Sequence, residues 1–221
     1  MKSLKKAAKM ARLSFENALR LHRDSILLYN NKSFISAYLL SVLAQEEIGK
    51  TFLLEEHIFH TSINPLSVNK ETQNIMAKAL LSHRVKQGWF SRVADEYFKY
   101  SRNRVPRVIK EITTGKLEEK KQNATYVGLT KQNNKLDMNG KLTSPTTRVK
   151  QDEVTIHITR VNDYIIKLVE ECRRGFCMVE TYELDSVLTM ELVSELEKLW
   201  NYKSKDTQKW LEKIRKFEIG E

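Results

Sequence analysis

Two short stretches of this chain place reactive side chains where a helix would otherwise carry apolar ones. The first is Ala44-Gln45-Glu46-Glu47-Ile48-Gly49-Lys50, which follows a nearly all-apolar run from Phe34 to Ala44 and precedes Phe52, Leu53, Leu54, Ile58 and Phe59. At helical spacing Glu46 falls in a stripe with Leu39, Leu43, Lys50 and Leu53, and Glu47 in the next stripe with Leu40, Ala44, Thr51 and Leu54. A carboxylate in such a stripe needs a partner, because an unpaired buried charge is costly. Lys50 stands four residues after Glu46 in the favourable acid-before-base order, and Asp24 could answer Lys50 from the preceding helix. Glu46, Lys50 and Asp24 are therefore read as structural polar residues. Glu47 has no such partner in its own helix and must find one elsewhere.

The second stretch is Ser82-His83-Arg84-Val85-Lys86-Gln87. Imidazole titrates near neutral pH and can take and return a proton. On a helix His83, Lys86 and Gln87 share one polar edge, while Arg84 points about 100° away. An arginine can grip a phosphate through two donors, and a lysine offers a point charge. That set suits proton transfer beside an anion, with Glu47 orienting His83 if it reaches the same edge. The candidate catalytic residues are thus His83, Lys86, Glu47 and Arg84.

Other chemistries find less support. Glu56-His57-Ile58-Phe59-His60 completes neither Glu-x-x-His pair of a di-metal bundle, and no glycine-rich phosphate loop or Gly-x-Ser-x-Gly occurs. The reading therefore includes no metal and no cofactor. Cys172 and Cys177 lack the spacing of a zinc or redox pair and read as buried free thiols.

The formal net charge is +10, and its excess is uneven. Lys2, Lys5, Lys6, Lys9, Arg12, Arg20 and Arg23 crowd the first helix; Lys99, Arg102, Arg104, Arg107, Lys110 and Lys116 crowd a later stretch. Basic surfaces attract polyanions without regard to sequence, and nucleic acid is the obvious one, with Arg20, Arg23, Arg102, Arg104 and Arg107 as candidate binding residues, for RNA in the reading that the family resemblance given below implies. A lysine-rich solubilising surface explains the same charge. No apolar run is long enough to cross a bilayer and no secretory signal opens the chain, so no membrane partner and a cytoplasmic location are expected.

The elements that must position these residues are helical. With seven glycines, three prolines and long periodic stretches, the 221 residues read as one all-α domain, a helical bundle spanning 1–221. Helices are expected over about Ser3–Tyr29 and Ser33–His60, joined by an Asn30-Asn31 turn into an antiparallel hairpin. A third stretch runs from Lys70 to Leu81 and resumes to Tyr100, with His83 either inside it or at a break. Arg104–Lys121 is helical but interrupted at Gly115. Periodicity then disappears into a long irregular loop over 122–149, in which Tyr126-Val127-Gly128-Leu129 could be extended. Helix returns over Gln151–Arg174, again from Met178 to Leu199, and near Trp210.

Asn17-Ala18-Leu19-Arg20-Leu21, Asp24-Ser25, Ala37, Ala44-Gln45-Glu46-Glu47-Ile48-Gly49-Lys50 and Ser82-His83-Arg84-Val85-Lys86, in this order, resemble the AbiV family of bacterial abortive infection proteins, a branch of the HEPN helical domains. The resemblance implies a helical bundle that pairs as a homodimer and acts against bacteriophage. Many HEPN proteins are metal-independent ribonucleases in which an arginine precedes a histidine by four to six residues at the dimer interface. None of His22, His57, His60, His83 and His157 has an arginine at that spacing. The expectation is a ribonuclease, silent until a trigger such as a phage-encoded protein docks, for instance at the 122–149 loop. The alternative is a non-catalytic protein that blocks translation or captures a phage component.

Overall fold

The computed structural model describes residues 2–64, 69–98, 107–129, 131–132, 135–136, 138–174, 182–205 and 207–212. Helix α1 (Lys2–Asn30) and helix α2 (Phe34–Ile63) are the two long helices that the apolar periodicity predicts. The turn between them is tight because Lys32 adopts a left-handed φ of 62° and Ser33 N–H returns 2.8 Å to the Leu28 carbonyl. Farther along the hairpin the Thr51 hydroxyl reaches the Ala11 carbonyl at 3.3 Å, which fixes α1 and α2 antiparallel.

Helix α2 is apolar around most of its circumference, and several other helices pack against it. Helix α8 (Gln151–Arg173) lies against both α1 and α2, with Tyr29 bonded to Thr155, Phe52 edge-on to Tyr164, and Ile158, Ile165 and Leu168 buried. Helix α10 (Met190–Leu199) is held by the Trp200 indole donating to Thr159 at 3.0 Å. Residues 207–212 are again helical.

Helix α3 (Lys70–Leu81) starts at an Asn69/Thr72 capping box and ends at Ser82, and helix α4 (His83–Phe98) begins at once. His83 therefore opens a helix, the point that periodicity leaves undecided. Helix α5 (Arg107–Thr113) and helix α6 (Lys116–Thr125) are separated by Gly115, whose φ of 73° only glycine adopts without strain.

Three expectations need correction. The 122–149 segment is not irregular throughout: α6 continues to Thr125, β1 (Gly128–Leu129) pairs antiparallel with β4 (Leu142–Thr143), and β2 (Lys131–Gln132) pairs with β3 (Lys135–Leu136). A four-residue α7 (Pro145–Arg148) follows behind a Ser144/Thr147 capping box. Two-residue strands are too short to impress a period on the sequence. The last helical region is broken into α9 (Tyr182–Asp185) and α10, because the Thr189 side chain caps a new start by accepting from Leu192 N–H. Cys172 is disulfide-bonded and not a free thiol, whereas Cys177 lies outside the described residues. The fold is otherwise all-α, and among the described residues no helix is long and apolar enough to cross a membrane.

Between α1, α2 and α8 the core holds two buried histidines. His22 Nε2 meets Asn162 Oδ1 at 2.9 Å, and His157 Nδ1 meets the Ser41 hydroxyl at 2.9 Å. Burial lowers His22 to about 4 and His157 well below the ordinary value of 6.5. On unfolding both imidazoles regain their ordinary affinity, so the unfolded chain binds more protons as pH falls below about 6.5. Stability is therefore present above pH 6.5 and is lost toward pH 4, by up to about 1.4 kcal/mol per pH unit for each histidine. Asp163, raised by burial, offsets part of this because it gains a proton more readily when folded. Denaturant unfolding between pH 7 and pH 4 should record the decline; a flat stability profile would contradict neutral burial.

Candidate active site

Helices α2 and α4 touch backbone to backbone at Gly49. A Cβ there would stand 1.9 Å from the Lys86 carbonyl oxygen, 2.8 Å from its carbonyl carbon and 3.1 Å from Phe90 N. Only glycine allows so close a crossing. It brings the first turn of α4 over the face of α2 on which Glu46, three residues before Gly49, projects.

Glu46 is 2% exposed and accepts three hydrogen bonds, from His83 Nδ1 at 2.6 Å, Gln87 Nε2 at 2.8 Å and Lys121 Nζ at 3.0 Å. One carboxylate thus ties α2 to both α4 and α6. Lys121 also reaches Glu118 at 3.2 Å, so the ammonium lies between two acids. A buried charge with this many donors is satisfied in the way that burial demands.

The bond to Glu46 sets the tautomer of His83. A carboxylate only accepts, so Nδ1 carries the hydrogen, and the neutral ring keeps its lone pair on Nε2. The side chain is 51% exposed, and Nε2 is the nitrogen left to act on a ligand. Lys86 is buried to 8% exposure and, among the described residues, no carboxylate pairs with its ammonium. Arg84 is exposed beside it. The arrangement therefore sets an oriented imidazole in the same first turn of α4 as two cations, a basis for holding an anion and moving a proton.

The structure redistributes the expected pairs. Glu46, and not Glu47, orients His83; Glu47 instead holds Lys50 at 3.3 Å, so the expected Glu46–Lys50 pair is replaced. The cause is the Gly49 crossing, which directs α4 and α6 donors onto the Glu46 stripe and leaves Lys50 to the adjacent acid. Asp24 does not answer Lys50 but bonds Arg20 one turn away at 3.0 Å on the surface of α1. Arg23 is engaged by both oxygens of Glu195, at 2.6 and 2.8 Å, which ties α1 to α10. Arg102 and Arg104 lie outside the described residues; Arg107 opens α5, and its side chain lies outside them too. Lys121 was not singled out from sequence, since nothing distinguishes it from Lys120 and Lys116 in a basic stretch. Among the described residues no three His, Cys, Asp or Glu side chains gather as ligands for a metal ion.

The AbiV model of the HEPN families matches residues 6–166. The chain belongs to the AbiV family. Its matched span contains α1 to α6 and most of α8, hence every residue of the Glu46 network. AbiV membership associates the protein with abortive infection, a defence against phage. Neither a curated protein nor a solved structure matches the chain.

Two substitutions separate crossing from pairing. Gly49→Ala should destabilise the fold by about 3 kcal/mol or more, because the atom that must yield is backbone. Glu46→Ala should cost about 3 kcal/mol, the low end for breaking a buried pair since Glu118 still holds Lys121, and Glu47→Ala under about 1 kcal/mol. Denaturant midpoints measure all three; equal losses for Glu46→Ala and Glu47→Ala would refute the assignment.

Proposed function

We propose that this AbiV protein is a metal-independent endoribonuclease, inactive until infection, whose action on RNA stops translation. The observation that carries the reading is a buried carboxylate fixing Nδ1 of a half-exposed histidine beside Lys86 and Arg84, two cations with no acid partner among the described residues. In such a site His83 Nε2 takes the proton of a ribose 2′-hydroxyl, the oxygen attacks the adjacent phosphorus, the bond from phosphorus to the 5′-oxygen breaks, and that oxygen takes a proton from the protonated His83 of a second copy. Lys86 and Arg84 offset the charge that grows on the phosphate, and Glu46 stabilises the imidazolium that forms. Glu47, paired with Lys50 nearby, keeps to a supporting role.

A homodimer supplies what one chain lacks, a general acid. Helix α3 buries no residue among those described, and Ile75 (60% exposed), Leu81 (81%) and Val85 (36%) leave apolar surface around His83. A second copy packed there would bring two His83–Glu46 pairs to one cleft. Regulation is a physical requirement, since an always-active ribonuclease would kill its host. The β1–β4 arm follows α6 directly and carries exposed Tyr126, Val127, Met138 and Leu142, which makes it the docking place we favour for a phage-encoded trigger.

The absent arginine-to-histidine spacing favours a second reading, a protein that blocks translation or captures a phage component without cutting. Purified protein, total bacterial RNA and a chelator, with and without phage lysate, separate the two. The first reading expects cleavage once lysate is added, with cyclic phosphate ends, falling at least about 100-fold in His83→Ala and also reduced in Lys86→Ala. No cleavage under any condition, or cleavage untouched in His83→Ala, would favour the second.

A further inference from the structure

A separate polar cleft lies on the other side of α6, between α2, α5, α6 and α8. It spans about 270 Å³ with the solvent-open space included, and inside it there is room for a water-sized group. Lys120 bridges Glu111 at 3.3 Å and Glu153 at 3.1 Å, and Arg160 meets Glu111 at 3.6 Å. Two cations and two carboxylates cancel, so the wall favours neither an anion nor a cation.

Two polar groups of this cleft have no hydrogen-bond partner among the described residues. His157 is 3% exposed, its Nδ1 is taken by Ser41, and its Nε2 is orphaned. Tyr38, also 3% exposed, lies edge-on to the His157 ring at 5.2 Å, and no described residue bonds its hydroxyl. Burial, then Glu111, holds the phenol protonated, and burial holds the imidazole neutral. Leaving the buried imidazole nitrogen unpaired is costly, and an apolar ligand would not relieve it. The complement is a neutral group of water size that donates and accepts at once. A hydroxyl has that chemistry.

We infer that the Tyr38–His157 cleft receives a ribose 2′-hydroxyl and so makes the protein prefer RNA over DNA. This rests on the ribonuclease reading for the presence of RNA, but uses none of its catalytic groups. Lys120 and Lys121 are successive residues of α6, one directed to this cleft and the other to Glu46. Tyr38 lies two turns before Glu46 on α2, about 12 Å along the axis. On this inference a single strand engaged at His83 continues around α6 to the cleft. The 2′-hydroxyl, donor and acceptor together, is the group by which RNA differs from DNA.

The test uses the full His83→Ala chain, so that RNA stays intact, and measures binding of one oligoribonucleotide, the same-sequence oligodeoxyribonucleotide, and free ribose. The ¹⁵N resonance of His157 Nε2 is followed throughout. The inference expects the ribo strand to bind about tenfold tighter, as one added hydrogen-bonded group allows, and to move that resonance while the deoxy strand does not. Tyr38→Phe, which removes a single oxygen, should erase the preference without unfolding the chain. Equal binding of both strands, a preference unchanged in Tyr38→Phe, or a resonance that no oligonucleotide moves, as for a cleft that holds only water, would overturn it. A resonance that answers free ribose as strongly as RNA would also overturn it, in favour of a sugar site. Ribo preference without cleavage by the unaltered protein sinks the nuclease reading alone, and cleavage without ribo preference sinks this inference alone.

Discussion

The Glu46 carboxylate is buried in a largely apolar helix, and two other helices deliver hydrogen-bond donors to it. Those donors arrive because α4 can approach α2 to backbone contact at Gly49, where the Lys86 carbonyl occupies the space that any side chain would need. The close approach and the buried acid depend on each other. Without glycine the donors of α4 stand off, and without the donors the acid is an unpaired charge in the core. The placement of α6 follows from the same group through Lys121.

In the proposed function this arrangement links stability to reactivity. The interaction that holds three helices together also fixes which nitrogen of His83 faces outward, so the ring is oriented before any ligand arrives. The core between α1, α2 and α8 differs in kind. There His22, Asn162, Ser41 and His157 are neutral polar groups inside an apolar interior, and they give the folded state a dependence on pH in place of a charge network. Around α6 the two regimes meet, Lys121 serving the buried acid and Lys120 the balanced cleft.

Much of this architecture is legible in the amino-acid order, and the exceptions have physical causes. The amino-acid order places helices α1, α2 and α8 to within a few residues because each sustains its period for more than twenty. That α2 would be central followed from its lack of a polar face. The choice between Glu46 and Glu47 did not follow, since neighbouring residues of an apolar-all-round helix both interrupt apolar stripes. Gly49 held the missing signal: it lies three residues from Glu46, on the same face, and marks where another backbone comes close. Lys121, 75 residues away in sequence, left no such signal, because only tertiary folding brings it to α2. The paired strands beyond α6 were invisible for want of length.

A double-mutant cycle on the folding free energies of the unaltered protein, Glu46→Gln, His83→Ala and the pair tests this account most directly. The two losses should fail to add, with a coupling of about 1–3 kcal/mol. Simple additivity would mean that Glu46 does not hold His83, and the site proposed at this crossing would be contradicted.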